Sequence, residues 1–316
     1  MNILIIGSGG VGIALGASMI SQGVNVSFFA RGKTAKYIKE NGIKRTGIFE
    51  HLSYLPDEYE VFTDYKDIPE NTFDFVFICS KTTANENISD SLNEYKTILK
   101  DGASIIIFQN GFGNDEPYLR YFNDEQVFCA RVITGFERCE PNISEVTVHT
   151  EPILIGSLQG ADTKRVEEIP KLISASGIPS EITDDVAKYL WAKMLYNCAL
   201  NPLGAILGVN YGELTENEYS VANMNKIIEE IFEVIHAGGY KTNWETAEEY
   251  EEVFYSKLVP DTYNHFSSTY QDIQKKQKTE IDSLNGTVIY LGEKFGVDVT
   301  MNKFVYNQIK DIESKF

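Results

Sequence analysis

Lys193, Asn197 and Asn201 stand four residues apart in the stretch from Val186 to Leu200 and just beyond it. On a helix, four residues at about 100° each return to within about 40°, so an ammonium and two carboxamides project along one stripe. Trp191, Met194, Leu195, Cys198 and Ala199 surround this polar seam with apolar surface, which shields parts of it from water. Such a seam is either part of a ligand site or a structural hydrogen-bond network between helices. Pro202 follows, without an N–H for the Cys198 carbonyl and disfavouring helical geometry at Asn201, so a kink or break is expected there. A second polar group, Ser267-Ser268, Gln271-Asp272, Thr279-Glu280-Ile281-Asp282 and Asn285-Gly286, gathers hydroxyls and carboxylates among apolar residues. Spacing alone assigns it no site.

A different chemistry is available near the N-terminus. Gly7, Gly9 and Gly12 form G-x-G-x-x-G, with Ser8, Gly10 and Val11 in the intervening positions. Ile3 to Ile6 precedes it as a β-branched and aliphatic run, the pattern of a strand buried on both faces. A small-residue helix from Ile13 to Ser21 and a second apolar strand from Val24 to Ala30 follow. In that setting the first glycine makes a tight turn, the second lets a pyrophosphate approach the backbone, and the third lets helix and strand pack closely. The phosphates would rest on free N–H groups at the helix N-terminus, where the macrodipole favours negative charge. The second strand ends at Arg31, with Lys33 beyond it and no acidic residue before Glu40. A guanidinium there pairs with a 2′-phosphate, whereas an Asp or Glu would hold ribose hydroxyls, so the expected cofactor is NADP(H).

Further strands are expected at Phe73 to Ser80, Ala103 to Phe108 and Gln126 to Ile133, with a helix near Asn87 to Leu99. Lys81 and Asn110-Gly111 follow two of those strand ends, the side on which open α/β sheets bind ligands. Taken alone, a surface Lys and a turn Asn-Gly explain them equally well. Val146 to His149 and Ile153 to Gly156, separated by Thr150-Glu151-Pro152, read as a hairpin or as edge strands closing the sheet, with His149 structural. After Thr183 the pattern becomes helical, with helices expected at Asn223 to Ala237, Thr246 to Leu258, a stretch reaching Tyr290, and Lys303 to Ile312. The expected organisation is a dinucleotide-binding α/β domain over residues 1–183 and an all-α domain over 184–316.

Composition limits what such a chain can do. At 316 residues with 43% hydrophobic side chains it can bury a large core, and its length fits two domains. The formal charge of −18 divides as −9 in each part, and this surface repels nucleic acid and anionic membranes alike. Four cysteines lie far apart without metal-ligand spacing, so neither a metal site nor a disulfide framework is expected. No apolar run reaches the 18 or more residues of a membrane span, and no basic residue precedes Arg31 as a secretion signal would require. A reducing cytoplasm is the expected compartment. The helical part has enough apolar surface to support a homodimer.

Together these residues resemble the ketopantoate reductase (2-dehydropantoate 2-reductase) family over essentially the whole chain. The resemblance is carried by GSGGVG at 7–12, Arg31, Ser80-Lys81, Gln109-Asn110-Gly111, W-x-K-x-x-x-N-x-x-x-N-P-L-x-A from Trp191 to Ala205, S-S-x-x-Q-D from Ser267, and T-E-I-D-x-x-N-G from Thr279. The C-terminal blocks are specific to the family, and glycine-rich loops are not. The resemblance implies a Rossmann-type domain followed by a helical domain of the 6-phosphogluconate dehydrogenase-like kind, with a 2-oxo acid bound between them. It implies NADPH-dependent reduction of 2-dehydropantoate to (R)-pantoate, toward pantothenate and coenzyme A. By the same resemblance Lys193 is the catalytic lysine and Glu280 the carboxylate supporting it and the substrate. Asn197, Asn201 and Ser268 become substrate contacts, Asn110 a residue beside nicotinamide and substrate, and Lys81 a lysine on the cofactor side.

The chain departs from the family pattern in one place. His265 stands where members often have a substrate-contacting Asn, with Asn264 one position early, and Thr269 and Tyr270 replace a more usual aliphatic pair. Two alternatives follow: a reductase of the same build acting on another short 2-oxo acid, and a non-catalytic NADP(H)-binding sensor, which would have no need of a proton donor.

Overall fold

In the computed structural model, which describes residues 1–316, the first compact unit comprises Met1–Gln109 and Asn114–Val186. In chain order it contains β1 (Asn2–Ile6), α1 (Gly10–Ser21), β2 (Asn25–Phe29), α2 (Gly32–Asn41), β3 (Ile43–Gly47), β4 (Leu52–Tyr54), β5 (Glu60–Phe62), β6 (Phe73–Ile78), α3 (Asn85–Glu94), β7 (Leu99–Ile107), α4 (Glu116–Leu119), β8 (Val127–Arg131), β9 (Thr134–Glu140), β10 (Ile143–His149), β11 (Ile153–Gly156), α5 (Glu168–Ala175) and β12 (Ser180–Ile182). Ile3, Leu4 and Ile5 are fully buried, which accounts for the unbroken apolar run: β1 lies mid-sheet, parallel to β2 on one side and β6 on the other. Each such side chain contributes about 1.5–3 kcal/mol on burial.

The sheet has eight strands in the order β12-β11-β8-β7-β6-β1-β2-β5. Its six-strand parallel part, β5-β2-β1-β6-β7-β8, has the 3-2-1-4-5-6 order of dinucleotide-binding sheets. Val146–His149 and Ile153–Gly156, expected as a hairpin or as edge strands closing the sheet, form neither. β10 joins a second, four-stranded sheet, β4-β3-β10-β9, whereas β11 runs antiparallel to β8 in the main sheet. The connecting Thr150-Glu151-Pro152 carries the chain from one sheet to the other. Arg45 of β3 is wholly buried in this unit and donates to Ser18 Oγ of α1, to Ser176 Oγ and O after α5, and to the Glu50 carbonyl.

The second unit comprises Asn110–Gly113 and Ala187–Phe316. It is all helical: α6 (Val186–Leu207), α7 (Tyr211–Thr215), α8 (Glu218–Ala237), α9 (Ala247–Val253), α10 (Val259–Asp261), α11 (Ser268–Gln274), α12 (Asn285–Phe295) and α13 (Thr300–Glu313), with one π turn at Phe254–Leu258 between α9 and α10. The expected division at residue 184 placed all of 110–113 in the first part, but these four residues pack within the second unit. Of the kink or break expected near Asn201, the break does not occur, because α6 continues through Pro202 to Leu207. Glu230 of α8, buried, accepts from the N–H groups of Met301 and Asn302, so a carboxylate from another helix satisfies the first turn of α13. No helix is long and apolar enough to cross a membrane.

Candidate active site

In the second unit, Lys193 Nζ donates to Asn110 Oδ1 at 2.6 Å, and Asn110 Nδ2 donates to Glu280 Oε2 at 3.2 Å. The carboxamide is thereby oriented, its oxygen toward the ammonium and its nitrogen toward the carboxylate. Three residues from distant parts of the sequence form one ammonium-amide-carboxylate chain. Lys193 stands on α6, while Asn110 is placed by the turn after β7.

That turn is held closely. Gly111 has φ +103°, and a Cβ there would lie 2.3 Å from the Ser283 carbonyl oxygen, so both conformation and space require glycine. Phe112 N–H donates to that same carbonyl at 3.4 Å, Thr287 Oγ1 donates to the Phe112 carbonyl at 3.1 Å, and the Phe112 ring packs 4.8 Å from Trp191. Glu280 sits just before the 3-10 turn Ile281–Ser283, whose Ser283 Oγ returns a hydrogen bond to the Glu280 carbonyl.

The remaining polar residues of α6 behave differently from one another. Asn201 is buried, and its Oδ1 accepts from Tyr211 OH at 2.7 Å, a structural tie between α6 and α7. Asn197 is half-buried. Beside it, Tyr196 bonds Thr262 at 2.5 Å, and burial pushes its phenol up to about 12. Burial also pushes Tyr211 and the Cys198 thiol upward, so all three stay protonated at neutral pH. Ser268, the expected substrate contact, is exposed at the start of α11. Its neighbour Ser267 is buried, accepts from Tyr270 N–H as the helix cap, and donates to the Asn201 carbonyl. Sequence reasoning gave Ser267 no part, although a serine directly before a helical run is an N-cap signal.

In the first unit, Gly7 has φ +104°, and a Cβ on it would lie 2.3 Å from Ser80 N; a Cβ on Gly12 would lie 1.9 Å from the Gly7 oxygen. These two glycines are required by the turn and by the packing of α1. Gly9 is different, since a Cβ there meets nothing within 4 Å. It leaves the backbone open at the N-terminus of α1, next to Gly10 and Val11. Ser8 is buried, and its Oγ has no hydrogen-bond partner. An open backbone, an orphaned hydroxyl and free helix N–H groups fit a dinucleotide pyrophosphate. Arg31 follows β2, exposed, with its guanidinium 5.5 Å above the Phe29 ring, and Phe29 stacks on Tyr65 at 4.0 Å. Lys81 follows β6, half-buried at the start of the Thr82–Ala84 turn. No group of three or more His, Cys, Asp or Glu side chains lies together as a metal site would need.

This strand order and glycine turn, with a helical unit that brings an ammonium, an amide and a carboxylate into one chain, define the class of dinucleotide-dependent reductases. The ketopantoate reductase PanE/ApbA family model matches residues 3–160, and its C-terminal counterpart matches 185–313. The chain belongs to the ketopantoate reductase family. A 2-dehydropantoate 2-reductase from Aquifex aeolicus is 36% identical over 311 residues, covering 98% of this chain and 96% of that protein. A PanE/ApbA family ketopantoate reductase from Ralstonia eutropha JMP134 shares the fold at a TM-score of 0.84 and 26% identity, over 100% of this chain and 99% of that one. D-mandelate dehydrogenase, solved with NADH and anilino(oxo)acetate, has a TM-score of 0.85 at 20% identity over 100% and 99% of the chains, a likeness of fold alone.

Proposed function

We propose that the chain catalyses NADPH-dependent reduction of 2-dehydropantoate to (R)-pantoate, toward pantothenate and coenzyme A, with residues 1–183 binding cofactor and 184–316 binding substrate. The observation that carries this reading is the hydrogen-bonded chain from Lys193 through Asn110 to Glu280 in a member of this family. Reduced nicotinamide, when bound, supplies a hydride for the 2-oxo carbon. The Gly7–Gly12 loop with Ser8, Gly9, Gly10 and Val11 would hold the pyrophosphate, Arg31 the 2′-phosphate, and Lys81 and Asn110 the cofactor nearer the reacting carbon.

Lys193 does the acid work. Negative charge develops on the carbonyl oxygen as the carbon is reduced, and the ammonium both stabilises that oxygen and gives it a proton, worth about 10²–10⁴ in rate. Asn110 fixes the direction of the ammonium by accepting one of its protons. Glu280 orients Asn110 and balances the lysine's charge. Asn197, Asn201 and Ser268 complete the substrate contacts in this reading, with the Asn201 carboxamide already shared with Tyr211. Four free cysteines suit a reducing cytoplasm.

One observation favours a second reading, in which another short 2-oxo acid is preferred. The His265 ring lies 5.2 Å from that of Tyr211, an aromatic neighbour to the buried Asn201. The test of both readings is loss of reduced-nicotinamide absorbance on adding 2-dehydropantoate, then kcat/KM across a panel of 2-oxo acids. No oxidation of NADPH with any of them overturns the reductase reading, and a better substrate than 2-dehydropantoate selects the second.

A further inference from the structure

Glu280 lies on a short segment fixed from the far end of the second unit. Glu313, at the last position of α13, is only 6% exposed. Its Oε1 accepts from Thr279 N–H at 2.7 Å and from Thr279 Oγ1 at 2.6 Å, and Thr279 Oγ1 accepts in turn from Ile281 N–H at 3.2 Å. One carboxylate therefore fixes both residues that flank Glu280. Thr279 and Ile281 are fully buried, Ile281 in an apolar cluster with Ala205 of α6 and Ile309 of α13. Lys310 Nζ bridges Glu313 Oε2, at 3.1 Å, to Asp282.

A buried carboxylate is costly unless its oxygens are met, and here Oε1 is met by the N–H and hydroxyl of Thr279, next to Glu280, and Oε2 by Lys310. A neutral side chain would have filled the space at lower desolvation cost. What the carboxylate adds is direction, because it binds N–H and hydroxyl of one residue at once. We infer that Glu313 is a positioning residue for Glu280, acting through Thr279 to hold the Glu280 carboxylate on Asn110. This inference rests on the reading of Lys193, Asn110 and Glu280 as the catalytic cluster.

The experiment is a double-mutant cycle on the full-length enzyme with NADPH and its best 2-oxo acid. Glu313→Ala is expected to lower kcat by about 10- to 100-fold, the scale of small misplacements in a catalytic group, with KM for NADPH within about twofold. Thr279→Val, which keeps the shape but loses the hydroxyl, should fall in the same direction, and Thr279→Ser should recover activity. In a Glu280→Gln background, Glu313→Ala should cost little more, because there is no carboxylate left to position. An equal loss from Glu313→Ala with and without Glu280 overturns the inference, as does full activity of Thr279→Val. If Glu313→Ala does not fold, Thr279→Val and Thr279→Ser carry the same cycle. Full activity of Glu280→Gln itself overturns instead the reading of the cluster on which the inference rests.

Discussion

Asn285 Nδ2 donates to the backbone carbonyl of Cys198 at 3.2 Å, in the place that Pro202 leaves without an N–H donor. The carbonyl that the proline would leave unsatisfied thus keeps a partner where α6 runs through a residue expected to kink or break it. The same amide group donates its second hydrogen to Asn302 Oδ1, and Asn302 in turn donates to Glu230. A buried polar chain from α8 through α13 and α12 thus satisfies the middle of the helix that bears Lys193.

Asn285→Leu strands a buried carbonyl and is expected to lower unfolding stability by about 1–3 kcal/mol in urea titrations. Pro202→Ala supplies an N–H to Cys198, so the double mutant should recover part of that loss. Strict additivity would show that Asn285 does not act on the proline site.

Gly9 and Gly12 should part company. Gly12→Ala is expected to destabilise the protein or abolish soluble expression, because its Cβ would overlap the Gly7 carbonyl. Gly9→Ala should leave the thermal midpoint nearly unchanged, since a Cβ there meets nothing within 4 Å, yet weaken NADPH binding by about tenfold or more. Unaltered NADPH affinity in Gly9→Ala would argue that phosphates do not approach there.

Arg31→Asp is expected to reduce the NADPH over NADH preference in kcat/KM by about tenfold or more, through loss of a charge-assisted bond and addition of a repulsive charge. A preference that survives means the 2′-phosphate is read elsewhere.

Lys193→Ala should lower turnover by about two to four orders of magnitude while NADPH affinity, measured by fluorescence titration, stays within a few-fold. Unchanged turnover would remove Lys193 from the mechanism.

The parallel core was legible because buried central strands leave unbroken runs such as Ile3 to Ile6, and the glycine turn announces itself by fixed spacing. The second sheet was not. β3 reads Ile-Lys-Arg-Thr-Gly and β9 reads Thr-Gly-Phe-Glu-Arg-Cys-Glu, so neither offers an apolar signal, and Arg45 is buried by hydrogen bonds that no local pattern reveals. In the site, the stripe of Lys193, Asn197 and Asn201 was readable from helical period. Its division of labour was not, because Asn201 is claimed by Tyr211 ten residues away and Lys193 by Asn110 eighty-three residues away. Glu313 gave no signal, since an acidic residue near a helix end ordinarily reads as solvated surface.

The four residues Asn110–Gly113 interrupt the first unit in sequence and pack within the second. Recombination at the apparent boundary near residue 184 would therefore not exchange whole modules. A chimera would seat one parent's Asn110, Gly111 and Phe112 against the other parent's Ser283, Trp191 and Lys193. Functional hybrids should be limited to parents that agree at this insertion, or to grafts that carry the tetrapeptide along with the helical half.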